Sequence, residues 1–148
     1  MNLFSRSPLA YDKAIEWATR KKPARRSIPN ETRMNNSMCS IENEGREFEK
    51  RAGFALMAVL AWQEKNNDLS DEKYKQFFPI IIREATDDRN FVKKAVNWAL
   101  RQIGKSRPSL RQPAIDCAKE ILKVYSEQSR GAKWIANDAI RELTNLKK

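Results

Sequence analysis

The chain has 148 residues and a formal net charge of +10 at pH 7, so a polyanion such as nucleic acid is the leading partner class, although such charge can also serve solubility alone. It contains no histidine, which excludes the commonest general base and metal ligand and makes most hydrolase chemistries unlikely. Cys39 and Cys117 lie far apart in the sequence, which indicates neither a disulfide framework nor a thiolate metal site and fits a reducing cytoplasm. No stretch approaches 18 uncharged apolar residues, and the start lacks a long apolar region, so secretion and membrane spanning are disfavoured.

In the first half of the chain, two segments have the apolar spacing of a helix and the segment between them lacks it. Ser7 followed by Pro8 is typical of a helix start, and the apolar spacing predicts a first helix from Pro8 to about Arg20. From Lys21 to Gly45 the periodicity vanishes, which predicts a long loop or a disordered insertion. The segment Arg46 to Lys65 regains one apolar face and predicts a second helix.

The second half of the chain contains more residues that mark where a helix starts or ends. Ser70 is expected to cap a helix that Pro79 kinks or splits in two. Asp87 or Asp88 is expected to cap the next helix, with Gly104 as its C-terminal stop.

Two further helices are predicted near the C-terminus. One runs from Pro113 to about Tyr125, and Ser129 opens the last one, which continues through Leu143. No strand is needed to explain any part of the pattern, so residues 1–148 are expected to form a single all-α domain.

Two stretches of the sequence repeat at about 40 residues. Phe48–Ala52 resembles Phe91–Ala95, which lies 43 residues later, and Asn97–Ile103 resembles Asn137–Leu143, which lies 40 residues later. Helix pairs repeated at this period are typical of HEAT-like (ARM-type) α–α superhelices, in which neighbouring pairs bury one another's apolar faces. Such a stack is expected to curve and to offer a concave side to an extended ligand.

One helical face is basic around a tryptophan. Lys94, Trp98, Arg101 and Lys105 recur at spacings of four, three and four residues, and Arg51 holds the matching place one repeat earlier. Cations at this spacing would contact phosphates while the indole stacks on a sugar or a base. The alternative is that Trp98 is a core anchor with a rim of long cationic side chains.

Other conspicuous residues favour structural interpretations. Gly53 within a helix indicates a close helix contact or the close approach of a ligand, and packing is the commoner reason. No pair or cluster of acids has the spacing of a metal site or of paired catalytic carboxylates, so the aspartates are expected to be caps or solvated residues. The remaining tryptophans are expected in the core: Trp17, Trp62 and Trp134.

Two blocks carry a resemblance to a known family. They are Arg46–Ala58 and Asp87–Gly104, the latter with the run Asn90–Arg101 at its centre. They resemble the bacterial DNA alkylation repair proteins, HEAT-repeat DNA glycosylases that release positively charged N3- and N7-alkylated purines in base excision repair. The resemblance implies that duplex DNA, alkylated or unmodified, lies on a basic concave face, and that neither a metal nor an organic cofactor is needed.

The resemblance also implies roles for individual residues. An arginine and a tryptophan that line the family's lesion site match Arg51 and Trp98 here, where electrostatic and CH–π contacts would stabilise the developing positive charge of the sugar. The family's further tryptophan and its catalytic aspartate precede the segment that matches Met1–Phe4, so the resemblance implies a superhelix truncated at the N-terminus and without that carboxylate. The predicted DNA-binding residues are Lys50, Arg51, Lys93, Lys94, Trp98, Arg101 and Lys105.

Three functions remain open at this point. The leading one is DNA binding without glycosylase activity, and the second is base excision through another carboxylate or a partner chain. The third is a HEAT-repeat scaffold that binds proteins along its concave side. Repeat surface left exposed by the missing helices would favour a homodimer.

Overall fold

The computed structural model describes residues 9–20, 36–63 and 70–146, with the side chains of residues 36–45 excepted. Within these ranges all regular structure is helical, which confirms the all-α fold class. None of the described helices is both long enough and apolar enough to cross a membrane. The helices are α1 (Leu9–Ala18), α2 (Asn36–Trp62), α3 (Asp71–Lys75), α4 (Phe77–Glu84), α5 (Asn90–Ser106), α6 (Pro108–Tyr125) and α7 (Arg130–Asn145).

The boundaries of α2 to α4 differ in part from the prediction. Helix α2 begins at Asn36, ten residues before the expected start, so that residues 36–45 continue the helix instead of a loop. Residues 21–35 of the expected loop lie outside the described residues. The helix that begins after Ser70 is split as predicted, but the break falls at Gln76. Pro79 lies in the first turn of α4, where its missing N–H group would have no intrahelical partner anyway.

The predicted ends of α5 are wrong, and both errors have a physical reason. The N-cap of α5 is Arg89. The carboxylates of the two predicted caps are engaged elsewhere, since Asp87 accepts hydrogen bonds from the Arg89 side chain and Asp88 accepts one from the Ser129 hydroxyl. Gly104 does not end the helix, which continues to Ser106. A Cβ at Gly104 would lie 2.7 Å from the side chain of Leu143, so the glycine serves packing.

Of the last two helices, the predicted start is wrong for α6 and confirmed for α7. Helix α6 starts at Pro108, five residues before the predicted Pro113, and Pro113 lies inside it. Ser129 caps α7 as predicted, since its hydroxyl accepts a hydrogen bond from the backbone N–H of Ala132 at 3.1 Å.

The helices pack in two layers, with α2, α5 and α7 side by side in one and α1, α4 and α6 in the other. Contacts between α2 and α5 join Phe48 to Phe91, 43 residues later. Contacts between α5 and α7 join Asn97 to Asp138, 41 residues later. These offsets match the sequence repeat, because equivalent helices of successive pairs lie parallel and in register. The fold is therefore repeat-like, as the period of about 40 residues predicts.

Gly53 explains how closely the first two helices approach. A Cβ at this position would lie 2.4 Å from the backbone nitrogen of Ala18 and 2.9 Å from the carbonyl oxygen of Ala14. Of the two explanations for a glycine inside this helix, the structure thus supports helix packing.

The tryptophans contradict the expectation that they anchor the core. Trp62 is 71% exposed and Trp134 is 44% exposed, while Trp17 is only partly buried. The core is filled by aliphatic and small residues and by Phe54, Tyr74 and Phe77.

Candidate nucleic-acid interface

An open groove of about 550 Å³ runs between α2 and α5. Because these helices are parallel and in register, residues at the same repeat positions face one another across it. Each helix contributes side chains at spacings of three and four residues, which puts them on one helical face. The lining residues are Phe48, Arg51, Ala52 and Ala55 from α2 and Phe91, Lys94, Ala95 and Trp98 from α5.

Three aromatic side chains stand exposed in this groove. Phe48 is 50% exposed, Phe91 is 47% exposed and Trp98 is 40% exposed. The rings of Phe48 and Phe91 are in contact, with centroids 6.0 Å apart and planes tilted by 31°. Clustered exposed aromatic surface is unusual in a soluble domain and marks an interaction site more often than scattered apolar residues do.

Two cations lie between the aromatic ends of the groove. The guanidinium of Arg51 lies 5.5 Å from the ring centroid of Phe91, a cation–π contact that orients the side chain across the groove. Lys94 is exposed one turn beyond Phe91 on α5. Neither cation has an ion-pair partner within the described ranges, and no described residue of the lining is a carboxylate. Among the described residues, no carboxylate therefore neutralises the positive charge of the groove.

Lys50 directly precedes Arg51 but has different surroundings. It is only 4% exposed, and its Nζ pairs with Glu84 and lies 3.1 Å from Oδ2 of Asp87. Burial alone would raise the pKa of the Asp87 carboxyl, but hydrogen bonds from Arg89 and Lys50 outweigh this and lower the pKa to about 2. This network ties α2 to the turn between α4 and α5, and it places Lys50 outside the groove.

Arg101 and Lys105 lie on the side of α5 that meets α7. Arg101 pairs with Glu142 and with Asp138, and Lys105 pairs with Glu142. Burial alone would raise the pKa of Glu142, but the two cations lower it below its usual range. Carboxylates of α7 thus partly neutralise the positive charge of both side chains.

Lys93 also points towards α7. Its Nζ lies 5.6 Å from the ring centroid of Trp134. Of the predicted site residues, the structure brings together Arg51, Lys94 and Trp98 in the groove. It places four others outside the groove lining: Lys50, Lys93, Arg101 and Lys105.

The sequence reasoning missed Phe48 and Phe91 as groove residues. Both occupy apolar positions at helical spacing, a pattern that ordinarily indicates core. Their equivalence across the repeat was the available signal, because equivalent residues of parallel neighbouring helices are brought face to face. In the described part of the chain, no group of three or more potential metal-ligand side chains is found together.

Comparison with known proteins identifies one family. The sequence profile described as DNA alkylation repair enzyme matches residues 30–143, which include all of α2 to α6 and most of α7. No curated protein and no solved structure matches the chain. The matched region covers well over half of the sequence and contains every residue that lines the groove. The chain therefore belongs to the DNA alkylation repair enzyme family.

Proposed function

We propose that this chain is a DNA-binding member of its family and that the groove between α2 and α5 contacts duplex DNA. One observation carries the proposal: Arg51, Lys94 and Trp98 lie together in an open groove whose two cations have no ion-pair partner within the described ranges. Family membership supports a role in DNA repair.

The electrostatics of the groove favour phosphate as the group it contacts. Desolvated or partly enclosed cations gain most from an anion when no nearby carboxylate competes. Arg51 and Lys94 meet this condition, whereas a phosphate near Arg101 would compete with Glu142 and Asp138. A protein-binding scaffold would be favoured by an apolar or acidic groove. Six of the eight lining residues here are apolar, so the support for DNA comes from the two cations and from family membership.

A salt titration of duplex DNA binding tests the proposal. Affinity should fall steeply with salt, because each phosphate contact contributes about 0.9 to the slope of log K against log salt concentration. Lys94→Gln should reduce this slope by about 1. Lys123→Gln is the matched control, since Lys123 is an exposed cation on α6 outside the groove and the substitution removes the same charge.

Two results would contradict the proposal. One is duplex binding that is undetectable or insensitive to salt. The other is an equal reduction of the slope in both variants, which would mean that net charge matters and the groove does not.

Glycosylase activity is a separate question from binding. The family's excision chemistry uses a carboxylate, and the described groove lining contains none. We therefore expect incubation with DNA containing N7-methylguanine to release no base above the uncatalysed rate. Base release that is lost in Trp98→Ala would instead make this chain an active glycosylase.

A further inference from the structure

The basic face of α5 continues beyond the groove. Lys94 and Trp98 line the groove, and Arg101 and Lys105 follow on the same helical face at spacings of three and four residues. Arg101 lies seven residues after Lys94, which is about 10 Å along the helix axis at 1.5 Å per residue. This distance is less than the roughly 12 Å width of the major groove alone, so phosphates of a duplex seated on Lys94 also come close to Arg101.

Glu142 of α7 contacts both of the cations outside the groove. One of its carboxylate oxygens lies against the guanidinium of Arg101, and the other lies against Nζ of Lys105. The three side chains are 28 to 34% exposed, so a ligand from solution can reach them. A carboxylate and a phosphate accept the same charge-assisted hydrogen bonds from these cations. Glu142 therefore lies where a phosphate of DNA would otherwise bind.

Asp138 also approaches Arg101, but it is held by other residues as well. Its Oδ2 accepts a hydrogen bond from Asn97 at 2.8 Å and lies 3.3 Å from the guanidinium of Arg101. Its Oδ1 accepts a hydrogen bond from Arg141, and its side chain is only 15% exposed. Asp138 therefore joins α5 to α7, whereas Glu142 is the more exposed carboxylate and the one that contacts both cations.

Resting on the proposed function, we infer that Arg101 and Lys105 form a second binding site for a DNA phosphate, which Glu142 of the same chain closes. A carboxylate held on the neighbouring helix competes at a far higher effective concentration than a phosphate that arrives from solution. The unmodified chain therefore makes fewer phosphate contacts than its basic face could provide. Removal of the charge of Glu142 opens the second site.

A salt titration of duplex DNA binding with Glu142→Gln in the full chain tests the inference. Two released cations should steepen the slope of log K against log salt concentration by about 1 to 2. A gain of about 0.9 in this slope makes binding about eightfold tighter at 0.1 M salt, if the affinities are equal at 1 M. Glu120→Gln is the matched control, since Glu120 is exposed on α6 in the other layer and the substitution changes the net charge equally. Its slope should stay close to that of the unmodified chain.

Further substitutions show whether the gain belongs to these two cations. In the Glu142→Gln chain, Arg101→Gln combined with Lys105→Gln should remove the gain in slope. In the chain with Glu142 intact, Arg101→Gln should reduce the slope by less than about half as much as Lys94→Gln, because Arg101 is already paired. This comparison does not depend on the folding of Glu142→Gln, which thermal unfolding checks.

Three results would overturn the inference and leave binding in the groove intact. The first is a slope for Glu142→Gln that is no steeper than that for Glu120→Gln. The second is a gain that survives the loss of both Arg101 and Lys105. The third is an equal effect of Arg101→Gln and Lys94→Gln in the chain with Glu142, which would mean that the second site is already open. Undetectable duplex binding by every variant would overturn the proposed function as well.

Discussion

Lys50 and Arg51 are adjacent and carry the same charge, yet their surroundings give them different uses. Arg51 is exposed in the groove, whereas Lys50 is buried between Glu84 and Asp87. A cation enclosed by two carboxylates stabilises the fold, because its removal leaves buried negative charge without compensation.

Lys50→Met should therefore lower stability and not DNA affinity. We expect a loss of about 3 kcal/mol in the free energy of unfolding, as is usual when one partner of a buried ion pair is removed. Urea unfolding measures this loss. The salt dependence of duplex binding should stay that of the unmodified protein, and a stable Lys50→Met variant with a reduced salt slope would show instead that Lys50 contacts phosphate.

The carboxyl group of Asp87 makes stability depend on pH. Its pKa in the folded chain is lowered to about 2 from an ordinary value of 3.8, so the folded state is stabilised when the group is ionised. This contribution is present above about pH 4 and is lost as the pH falls through about 2. Between about pH 5 and pH 2 the unmodified chain should lose about 2 kcal/mol more than Asp87→Asn. Urea unfolding at the two pH values measures the difference, and equal losses in the two proteins would contradict it.

Sequence reasoning could not separate these residues. Charge and spacing treat Lys50, Arg51 and Lys94 alike, and the contacts that distinguish them come from α4 and from the turn after it. The same holds for Asp87 and Asp88, which look like helix caps in sequence but are held by Arg89 and Ser129. Ser129 was predicted correctly, because a cap depends only on residues three positions away.

At the scale of helices, the close contact of α1 with α2 positions the wall of the groove. Gly53 lies on the α2 face opposite the one that carries Arg51 and Ala55, and the backbone of α1 fills the place of its side chain. Helix packing thus fixes the orientation in which α2 presents its groove residues.

Gly53→Ala should destabilise the protein, although alanine is the better helix former by about 1 kcal/mol. The added Cβ would lie 2.4 Å from backbone nitrogen, which cannot yield as a side chain can, so we expect a loss of about 2 to 3 kcal/mol. Gly104→Ala is the control, because its Cβ meets the flexible end of Leu143 and should cost less. A higher melting temperature for Gly53→Ala would contradict this packing.

For the whole molecule, the sequence period predicted more than the individual residue types did. A repeat of about 40 residues predicted stacked helix pairs, and the parallel register in which equivalent helices of these pairs lie is what brings the Phe48 and Phe91 blocks together. Exposure of the tryptophans could not be predicted, because it depends on which helix faces are left without a neighbour. The homodimer, the cytoplasmic location and the single domain over residues 1–148 stay predictions.

The central claim is that DNA lies in the groove between α2 and α5, and the indole N–H resonances of the four tryptophans test it most directly. Titration with duplex DNA should shift or broaden the resonance of Trp98, which lies in the groove. The resonance of Trp62, which is 71% exposed but outside the groove lining, should stay in place. Saturation of binding with Trp98 unchanged would contradict the claim.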